Sequence, residues 1–434
     1  SAPHEIRTGL VGTNKSIEGL LSWLESTASG VGAKESRQPN LFVAFPGFGE
    51  DSSFHSRLIT APEFEKKIST KEIESLSRIA ERNELVSKSV DLFYAEIETL
   101  VQNNSNLSLI ICAPPIEMLR LLFPEKTGRA KGENDFHHLL KARIMHLRIP
   151  IQIVRPSTYD VGKAGSERFD RRNVQDPATR AWNFHVALYY KAGGTPWRMK
   201  RDSSELTACY VGISFYKSLD GTRLQTSLAQ IFNERGDGII VRGGIAKLSK
   251  DDRSPHLERE DADILLGNAL REYKAVHKTL PARIVVHKSS SFDDDELMGF
   301  DMALQNNSIG SADFIHITDS SAKLYREGKY PVLRGTSLET SNESSVLYTR
   351  GSVPYYSTYP GRYVPVPLEL NFEVTEQTPA FLSREILALT KMNWNNTQFD
   401  GSEPITLAAA RRVGKILKYL PSDIPPEPRY SFYM

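Results

Sequence analysis

The segment from Ala208 to Tyr216 reads ACYVGISFY and decides the fold of the second half of the chain. It is a continuous apolar and aromatic run, which is typical of a buried strand. Two more strand-like runs follow at 224–232 and 238–241. The elements predicted after them are a helix at 262–277, strands at 283–287, 313–318 and within 345–370, and helices at 383–389 and 405–417. Three antiparallel strands, then helix, strand and helix, are the order of an RNase H-like domain.

Upstream of this segment, strands alternate with helices. We predict strands at 6–12, 107–113 and 151–154, a short apolar run at 41–45, and helices at 16–26, 71–101, 136–147 and 178–190. This alternation is typical of a parallel sheet of the Rossmann kind. The sequence therefore predicts an α/β chain with a Rossmann-like domain at 1–200 and an RNase H-like domain at 201–434, divided near Lys200.

Composition limits the kinds of partner. The 434 residues include 54 Lys and Arg against 53 Asp and Glu. A protein that binds nucleic acid over most of its surface would be more basic than this chain, so any site for a polyanion must be local. Cys112 and Cys209 lie in apolar runs without a CxxC neighbour, which predicts buried free thiols rather than a zinc site. No apolar run of about 18 residues and no signal-like N-terminal stretch is found, so we expect a cytoplasmic location.

One group of residues in the first half suits a terminal phosphate. His137 and Lys141 are four apart on a predicted helix, and Asn183 and Lys191 are eight apart on another. Gln152 lies in the strand between them. Ammonium groups supply charge, and the amide and imidazole supply directed hydrogen bonds. Taken singly, each of these residues is most simply a solvated surface residue, and His138 beside them is most simply a helix-surface residue.

The order His-x3-Lys, then Gln, then Asn-x7-Lys resembles the guide 5′-phosphate pocket of Argonaute MID domains. That family usually opens the motif with Tyr, where this chain has His137. The resemblance implies four contacts to the 5′-phosphate, from His137, Lys141, Gln152 and Lys191. It also implies that Asn183 faces the first linkages of the guide and that Thr158 approaches its first base.

The chain's last residues carry the same resemblance. The sequence stops on the aromatic run Arg429-Tyr-Ser-Phe-Tyr-Met434. In similar Argonautes the terminal carboxylate helps to hold a divalent ion at the guide 5′ end, which here implies Mg²⁺ bound by Met434. Compact relatives carry a second ligand, a glutamine, where this chain has Ala187.

The second half resembles a PIWI domain without its carboxylates. Cutting by the RNase H route needs two divalent ions held by acidic residues. The resemblance places Ser214 and Ser289 at two of the three ligand positions, and Ala409 or Ala410 at the third. Lys288 adds a positive charge nearby. The resemblance therefore implies a catalytically inactive member of the short prokaryotic Argonautes, covering nearly the whole chain without a PAZ or N-terminal domain.

Such proteins bind a guide RNA or DNA and a complementary target, and work in prokaryotic antiviral defence. The resemblance implies an effector partner with an APAZ region fused to a Sir2 or TIR NADase or a nuclease.

Two other interpretations stay open. The acidic run at 293–296 is expected to be a helix N-terminus, but it offers atypical ligands for a guide-directed nuclease. The glycines Gly9 and Gly12 suggest a small-molecule binder, although the full GxGxxG pattern is missing.

Overall fold

The computed structural model describes residues 2–123, 135–160, 175–200, 206–232, 238–250, 252–328, 331–356, 359–361, 363–394, 401–421 and 423–434, with the main chain alone for 228–232. The chain divides into two compact units. Unit 1 comprises Ser1–Pro196, Trp394–Thr397 and Met434, and unit 2 comprises Trp197–Asn393 and Gln398–Tyr433. The predicted boundary near Lys200 lies close to this division, and the functional assignment of each unit stays a prediction.

Unit 1 alternates strands and helices along the chain. Its elements are β1 (Glu5–Gly12), α1 (Asn14–Ala28), β2 (Arg57–Ile59), β3 (Glu65–Lys67), α2 (Thr70–Ser75), α3 (Arg82–Asn103), β4 (Leu109–Ala113), α4 (Ile116–Leu122), α5 (Phe136–Ile144), β5 (Ile151–Ile153), α6 (Pro156–Tyr159) and α7 (Pro177–Lys191).

The strands of unit 1 form one parallel sheet. Its order is β2-β1-β4-β5, and β3 pairs with the far end of β1. The core on one face joins β1, β4 and β5 to α3, α4 and α5 through residues such as Phe93, Ile110 and Leu140. The Rossmann-like prediction for the first half is thereby confirmed.

Close packing accounts for the two glycines of β1. A Cβ at Gly12 would lie 2.7 Å from the carbonyl oxygen of Ala113, and one at Gly9 would lie 2.6 Å from Leu100. Both distances are too short for any larger residue, so these glycines fit the sheet's own packing, as glycine within a strand commonly does.

The predicted long helix at 71–101 is wrong in one respect. The structure divides it into α2, a single 3₁₀ turn at Leu76–Arg78, and α3. Ile79 is extended, and the carboxylate of Glu81 then accepts hydrogen bonds from the main-chain N–H groups of Asn83 and Glu84, which starts α3 as a new helix. The apolar run at 41–45 forms no sheet strand: a 3₁₀ turn at Pro39–Leu41 ends at its first residue, and Phe45 makes a single bridge to Val31.

Unit 2 begins with the three predicted strands. Its elements are β6 (Ala208–Lys217), β7 (Leu224–Phe232), β8 (Gly238–Ile245), β9 (Lys247–Leu248), β10 (Pro255–His256), α8 (Arg259–His277), β11 (Arg283–Lys288), α9 (Asp294–Asn306), β12 (Ala312–Asp319), β13 (Ser337–Ser341), β14 (Ser344–Leu347), β15 (Leu368–Val374), α10 (Pro379–Leu389) and α11 (Ile405–Leu417).

Eight of these strands form one mixed sheet in the order β13-β14-β15-β12-β11-β6-β7-β8. Strand β11 pairs in parallel with β6 on one side and with β12 on the other. Strands β6, β7 and β8 form an antiparallel meander. Helices α8 and α9 bury one face of the sheet through residues such as Leu266, Phe300 and Val286. This arrangement confirms the predicted RNase H-like order.

Helix α11 covers β6 where that strand carries a glycine. A Cβ at Gly212 would lie 2.2 Å from the carbonyl oxygen of Thr406 in the first turn of α11. The helix therefore lies directly on the strand's main chain, and Gly212 permits that approach.

Within the described ranges, no helix is both long enough and apolar enough to cross a membrane.

Gly212→Ala should lower the free energy of unfolding by about 1–3 kcal/mol, the usual cost of overpacking a core. The added methyl group would force α11 away from β6. Thermal and urea unfolding would measure the loss.

Gly267→Ala in α8 is the matched control. A Cβ there meets nothing within 4 Å, so alanine should stabilise the helix by about 0.5–1 kcal/mol. A Gly212→Ala variant as stable as Gly267→Ala would contradict the close contact between α11 and β6.

Candidate nucleic-acid interface

The start of α5 is fixed by Asp135, which lies among the predicted phosphate contacts. The buried carboxylate of Asp135 accepts a hydrogen bond from the main-chain N–H of His138 at 3.1 Å and so caps the helix. The Asp135 carboxylate oxygen and the Nδ1 of His138 are 3.4 Å apart. This cap sets the position from which the next turn presents His137 and Lys141.

Lys141 is buried, with 2% of its surface exposed. Its ammonium group donates a hydrogen bond to the main-chain oxygen of Met434, which belongs to the same compact unit. His137 and Lys141 lie on the same helix, as predicted, but they differ in burial: His137 is exposed, whereas Lys141 is buried.

Lys191, at the end of α7, is also buried. Its ammonium donates to the carbonyl oxygen of Ile151 at 2.8 Å and to Oε1 of Gln152 at 2.6 Å. The structure therefore brings Gln152 and Lys191 together, as the spacing of the sequence predicts. The same positive charge acts on the buried thiol of Cys112, although burial dominates and raises the pKa of that thiol.

The electrostatics around His137 show where the positive charge is concentrated. The pKa of His137 is lowered well below its ordinary value, first by loss of surrounding water and then by the charges of Lys141, His138, Lys191 and Arg155. The cations that contribute to this lowered pKa would also attract an anion.

Two of the predicted residues make contacts elsewhere. Asn183 donates from Nδ2 to Oε1 of Gln175 at 2.8 Å. The carbonyl of Thr158 accepts a hydrogen bond from the guanidinium of Arg180 at 2.8 Å, in the short helix α6. The structure thus leaves their roles toward a guide as predictions.

The residues present at the chain's last position do not form a magnesium site. The main-chain oxygen of Met434 already accepts a hydrogen bond from the ammonium of Lys141. Position 187 carries the buried methyl group of Ala187 in place of an oxygen ligand. Mg²⁺ requires several oxygen ligands, which these two positions do not supply.

In unit 2, two of the three positions at which the resemblance expects metal ligands lie on neighbouring parallel strands. The register pairs Lys288 of β11 with Ile213 of β6, so Ser289 and Ser214 are the next residues along the two chains. Ser214 is buried and Ser289 half-buried. Their parallel direction places both hydroxyl-bearing residues at the same edge of the sheet.

The third position, at Ala409 or Ala410 in α11, is connected to Ser214 by hydrogen bonds of Ser227. The hydroxyl of Ser227 donates to the carbonyl oxygen of Ala410 at 2.8 Å and lies 3.3 Å from that of Ser214. Ala409 and Ala410 are both fully buried in α11. Ser227 therefore links the main chain of Ser214 to that of Ala410, and the strand register places Ser289 next to Ser214 along the sheet.

His287 lies on the α11 side of β11. Its Nδ1 is 2.8 Å from Oγ1 of Thr406, and its Nε2 has no hydrogen-bond partner in the part of the chain that the structure describes. Burial lowers the pKa of His287 to about 3, with a smaller effect from Arg283. The ring is therefore neutral at pH 7.

The predicted role of Lys288 near this point is wrong. Successive residues of a strand point to opposite faces, so Lys288 points away from His287, toward α9. Its fully buried ammonium forms an ion pair with Glu296 at 2.5 Å and donates to the carbonyl of Ser291. Its charge neutralises a buried carboxylate instead of acting at the Ser214 side.

The acidic run at 293–296 is a helix N-terminus, as predicted. Asp293 caps α9, and a capping box joins it to Glu296. Glu296 is completely buried, accepts from the main-chain N–H of Leu257 and lies 2.9 Å from Nδ1 of His256. Burial opposes the protonation of His256, but its hydrogen bonds to Glu296 and Asp252 prevail and raise its pKa.

Several contributors were not found from the sequence. Arg155 follows β5, stacks on Phe123 at 5.5 Å and adds to the charge around His137. Asp135 carried no signal beyond being a capping residue before an apolar run. The Lys288–Glu296 pair joins residues eight apart in different elements, and no local spacing rule predicts it.

The known proteins to which this chain is similar are Argonaute and Piwi proteins. It is 22% identical over 332 residues to the protein argonaute of Cereibacter sphaeroides (strain ATCC 17025 / ATH 2.4.3), covering 70% of this chain and 40% of that protein. No family model matches the sequence.

Solved structures agree on the fold. Clostridium butyricum Argonaute bound to a guide DNA and a 19-mer target DNA superposes with a TM-score of 0.62 at 14% identity, over 98% of this chain and 50% of that one. Drosophila Piwi gives a TM-score of 0.63 at 14% identity over the same shares. The chain thus spans about half the length of these structural relatives.

The buried His287 should make stability depend on pH. Because its pKa falls from an unfolded value near 6.5 to about 3, the unfolded chain binds more protons between those values. The free energy of unfolding should therefore fall as the pH drops from 6.5 toward 3, by about 1.4 kcal/mol per pH unit from this residue.

His287→Asn should remove that part of the slope, since an amide can keep the contact to Thr406 without titrating. Urea unfolding at several pH values between 4 and 7 would measure it, with the exposed His146→Asn as control. His185 is likewise buried, with its pKa lowered to about 3, and should keep its own slope in both variants. An unchanged slope in His287→Asn would show that His287 is already solvated.

Proposed function

We propose that this chain, which has the fold of the Argonaute and Piwi proteins, binds a nucleic-acid guide by its 5′-phosphate and recognises a complementary target without cutting it. One observation carries the proposal. The buried ammonium groups of Lys141 and Lys191 are held in place by hydrogen bonds, and their charges and that of Arg155 act on His137, whose pKa is lowered mainly by loss of surrounding water and further by these cations.

The two ammonium groups are fixed in place before any ligand arrives. Lys191 is held by Ile151 and Gln152, and Lys141 by Met434. Long side chains normally lose rotamer freedom on binding, and here that loss is already included in folding. A phosphate would therefore meet donors in a nearly fixed geometry.

Burial also makes an anion favourable here. Removing an ammonium from water is costly, and amide or carbonyl oxygens compensate only part of that cost. A terminal phosphate carries about two negative charges and several acceptor oxygens. We infer that a 5′-phosphate accepts hydrogen bonds from the ammonium groups of Lys141 and Lys191, with His137 as a neutral hydrogen-bond donor.

The lack of cleavage follows from charge. Two divalent ions bring four positive charges that the protein must offset with carboxylates. Around the point where β6, β11 and α11 meet, the side chains at the three ligand positions are the hydroxyls of Ser214 and Ser289 and the methyl of Ala410. Hydroxyl and methyl groups provide no negative charge, so we infer that this centre does not assemble metal ions.

The alternative, a nuclease with atypical ligands, would need the acids near α9. Glu296 is tied to Lys288, and His256 to both Glu296 and Asp252. A metal ion would have to displace the buried Lys288. We therefore prefer the non-cutting function and make cleavage an outcome of the test.

If recognition here produces no cut, a downstream response needs another chain. We propose a protein partner that supplies the enzymatic activity once guide and target have paired, as in antiviral defence. The solved relative from Clostridium butyricum holds guide and target as DNA. For this chain we propose that it likewise binds a guide strand and a complementary target strand, each of which is RNA or DNA.

The purified chain should bind a 5′-phosphorylated guide at least about tenfold more tightly than the same strand with a 5′-hydroxyl, because charged hydrogen bonds contribute about 1.5–3 kcal/mol each. Lys191→Met, which keeps the side chain's length, should remove most of this preference. Fluorescence anisotropy at several salt concentrations would measure both, and raising the salt should weaken binding.

Lys71→Met, at an exposed lysine of α2, is the matched control and should keep the full preference. Thermal unfolding of each variant would show that the fold is intact. Equal affinity of the wild-type chain for both 5′ ends would overturn the proposed phosphate site.

Incubation of the guide-loaded chain with complementary RNA or DNA and Mg²⁺ or Mn²⁺ should leave the target intact. Denaturing gel electrophoresis of end-labelled target would show this. Cleavage that is lost in Asp293→Asn would overturn the inactive assignment and favour the nuclease with atypical ligands. Asparagine is a suitable control replacement since it also caps helices.

A further inference from the structure

We propose that Asp135, His137 and His138 bind one divalent transition-metal ion beside the phosphate site. Binding of the ion is independent of the proposed function, whereas its role next to the guide rests on that function.

The ligand geometry carries this inference. One ligand atom from each of the three residues lies within 4.8 Å of the other two. The Asp135 carboxylate oxygen and His138 Nδ1 are 3.4 Å apart. Zinc bonds of about 2.0–2.1 Å in a tetrahedron place neighbouring ligands about 3.3–3.4 Å apart, so one edge of the polyhedron already exists.

The three ligands are positioned by the fold. Asp135 is held as the cap of α5 by the main-chain N–H of His138, and both imidazoles follow in the first turn. Their ring centres are 5.2 Å apart and the rings are perpendicular, which lets two nitrogens approach one point from different directions.

The donor atoms select the kind of metal. Two imidazole nitrogens and one carboxylate oxygen suit Zn²⁺, Co²⁺, Mn²⁺ or Fe²⁺ better than Mg²⁺, which prefers an all-oxygen shell. Three protein ligands also leave an open position, and His137 is exposed, so a ligand from solution can reach the ion. A phosphate oxygen could occupy that position.

The surrounding charge makes the ion and the phosphate cooperative. The charges of Lys141, Lys191 and Arg155 around His137 oppose a dication, and Asp135 supplies a single negative charge. A phosphate dianion would offset this repulsion. Thermodynamic linkage then requires that the ion strengthen phosphate binding by the same factor as the phosphate strengthens metal binding.

The test is a titration of the full chain, free of any affinity tag containing histidine and dialysed against a chelator, with Co²⁺. We expect one equivalent to bind, seen as visible d–d absorption, and Zn²⁺ to displace it. Asp135→Asn and His138→Ala should each weaken Co²⁺ at least about tenfold, as changes to metal-site residues commonly do. Asparagine keeps the helix cap, so the folded start of α5 is preserved in one of the two variants.

His146→Ala is the matched control, because this exposed histidine lies beyond α5 and should not affect Co²⁺ binding. A 5′-phosphorylated guide should increase the affinity for Co²⁺, and a 5′-hydroxyl guide should not. No bound Co²⁺ in the presence of phosphorylated guide, or equal binding by Asp135→Asn, His138→Ala and wild type, would overturn the metal site.

The two proposals fail in different ways. Co²⁺ bound by the free chain without any effect of the 5′-phosphate would support the ion and contradict the guide site. A phosphate preference measured in chelator, without Co²⁺ binding, would support the guide site and overturn the ion. Lys191→Met separates them further, since it should lose the phosphate preference and keep the Co²⁺ equivalent.

Discussion

Parallel pairing between strands is the constraint on which both candidate sites depend. Strands that run in one direction end at one edge of the sheet, so residues far apart in sequence meet there. In unit 2 the register of β6 and β11 makes Ser214 and Ser289 neighbours although 75 residues separate them in the numbering. In unit 1 the pairing of β4 with β5 fixes the strand whose Ile151 and Gln152 hold Lys191.

Buried charge distinguishes the two units. In unit 1, Lys141 and Lys191 are buried and donate to the main-chain oxygen of Met434 and to Oε1 of Gln152, and both charges act on His137. In unit 2, the buried charges are paired: Lys288 with Glu296, and Arg283 with Asp313 and Glu385. Carboxylates that already form buried ion pairs, as those of Glu296 and Asp313 do, are poor ligands for a new ion, because leaving a buried cation unpaired is costly.

The wrong predictions have physical causes. Apolar spacing continues across residues 71–101, but Glu81 satisfies the main-chain N–H groups of a new helix start, and such side-chain capping competes with continuation. Lys288 follows His287 directly, which suggested a shared location. The alternation of a strand instead sends the two side chains to opposite faces, and only the packing of α9 shows what Lys288 meets.

The sequence by itself determined the order of strands and helices, the two kinds of α/β unit, and the residue types at the candidate positions, because periodicity and local spacing are properties of neighbouring residues. Its spacing singled out Lys141, Gln152 and Lys191, while the resemblance to PIWI domains singled out Ser214, Ser289 and Ala409 or Ala410. Only the tertiary structure decided that both lysines are buried, that Arg155 joins them, and that Asp135, His137 and His138 converge. Burial, electrostatic coupling and ligand geometry depend on distances between elements, and no local pattern contains those distances.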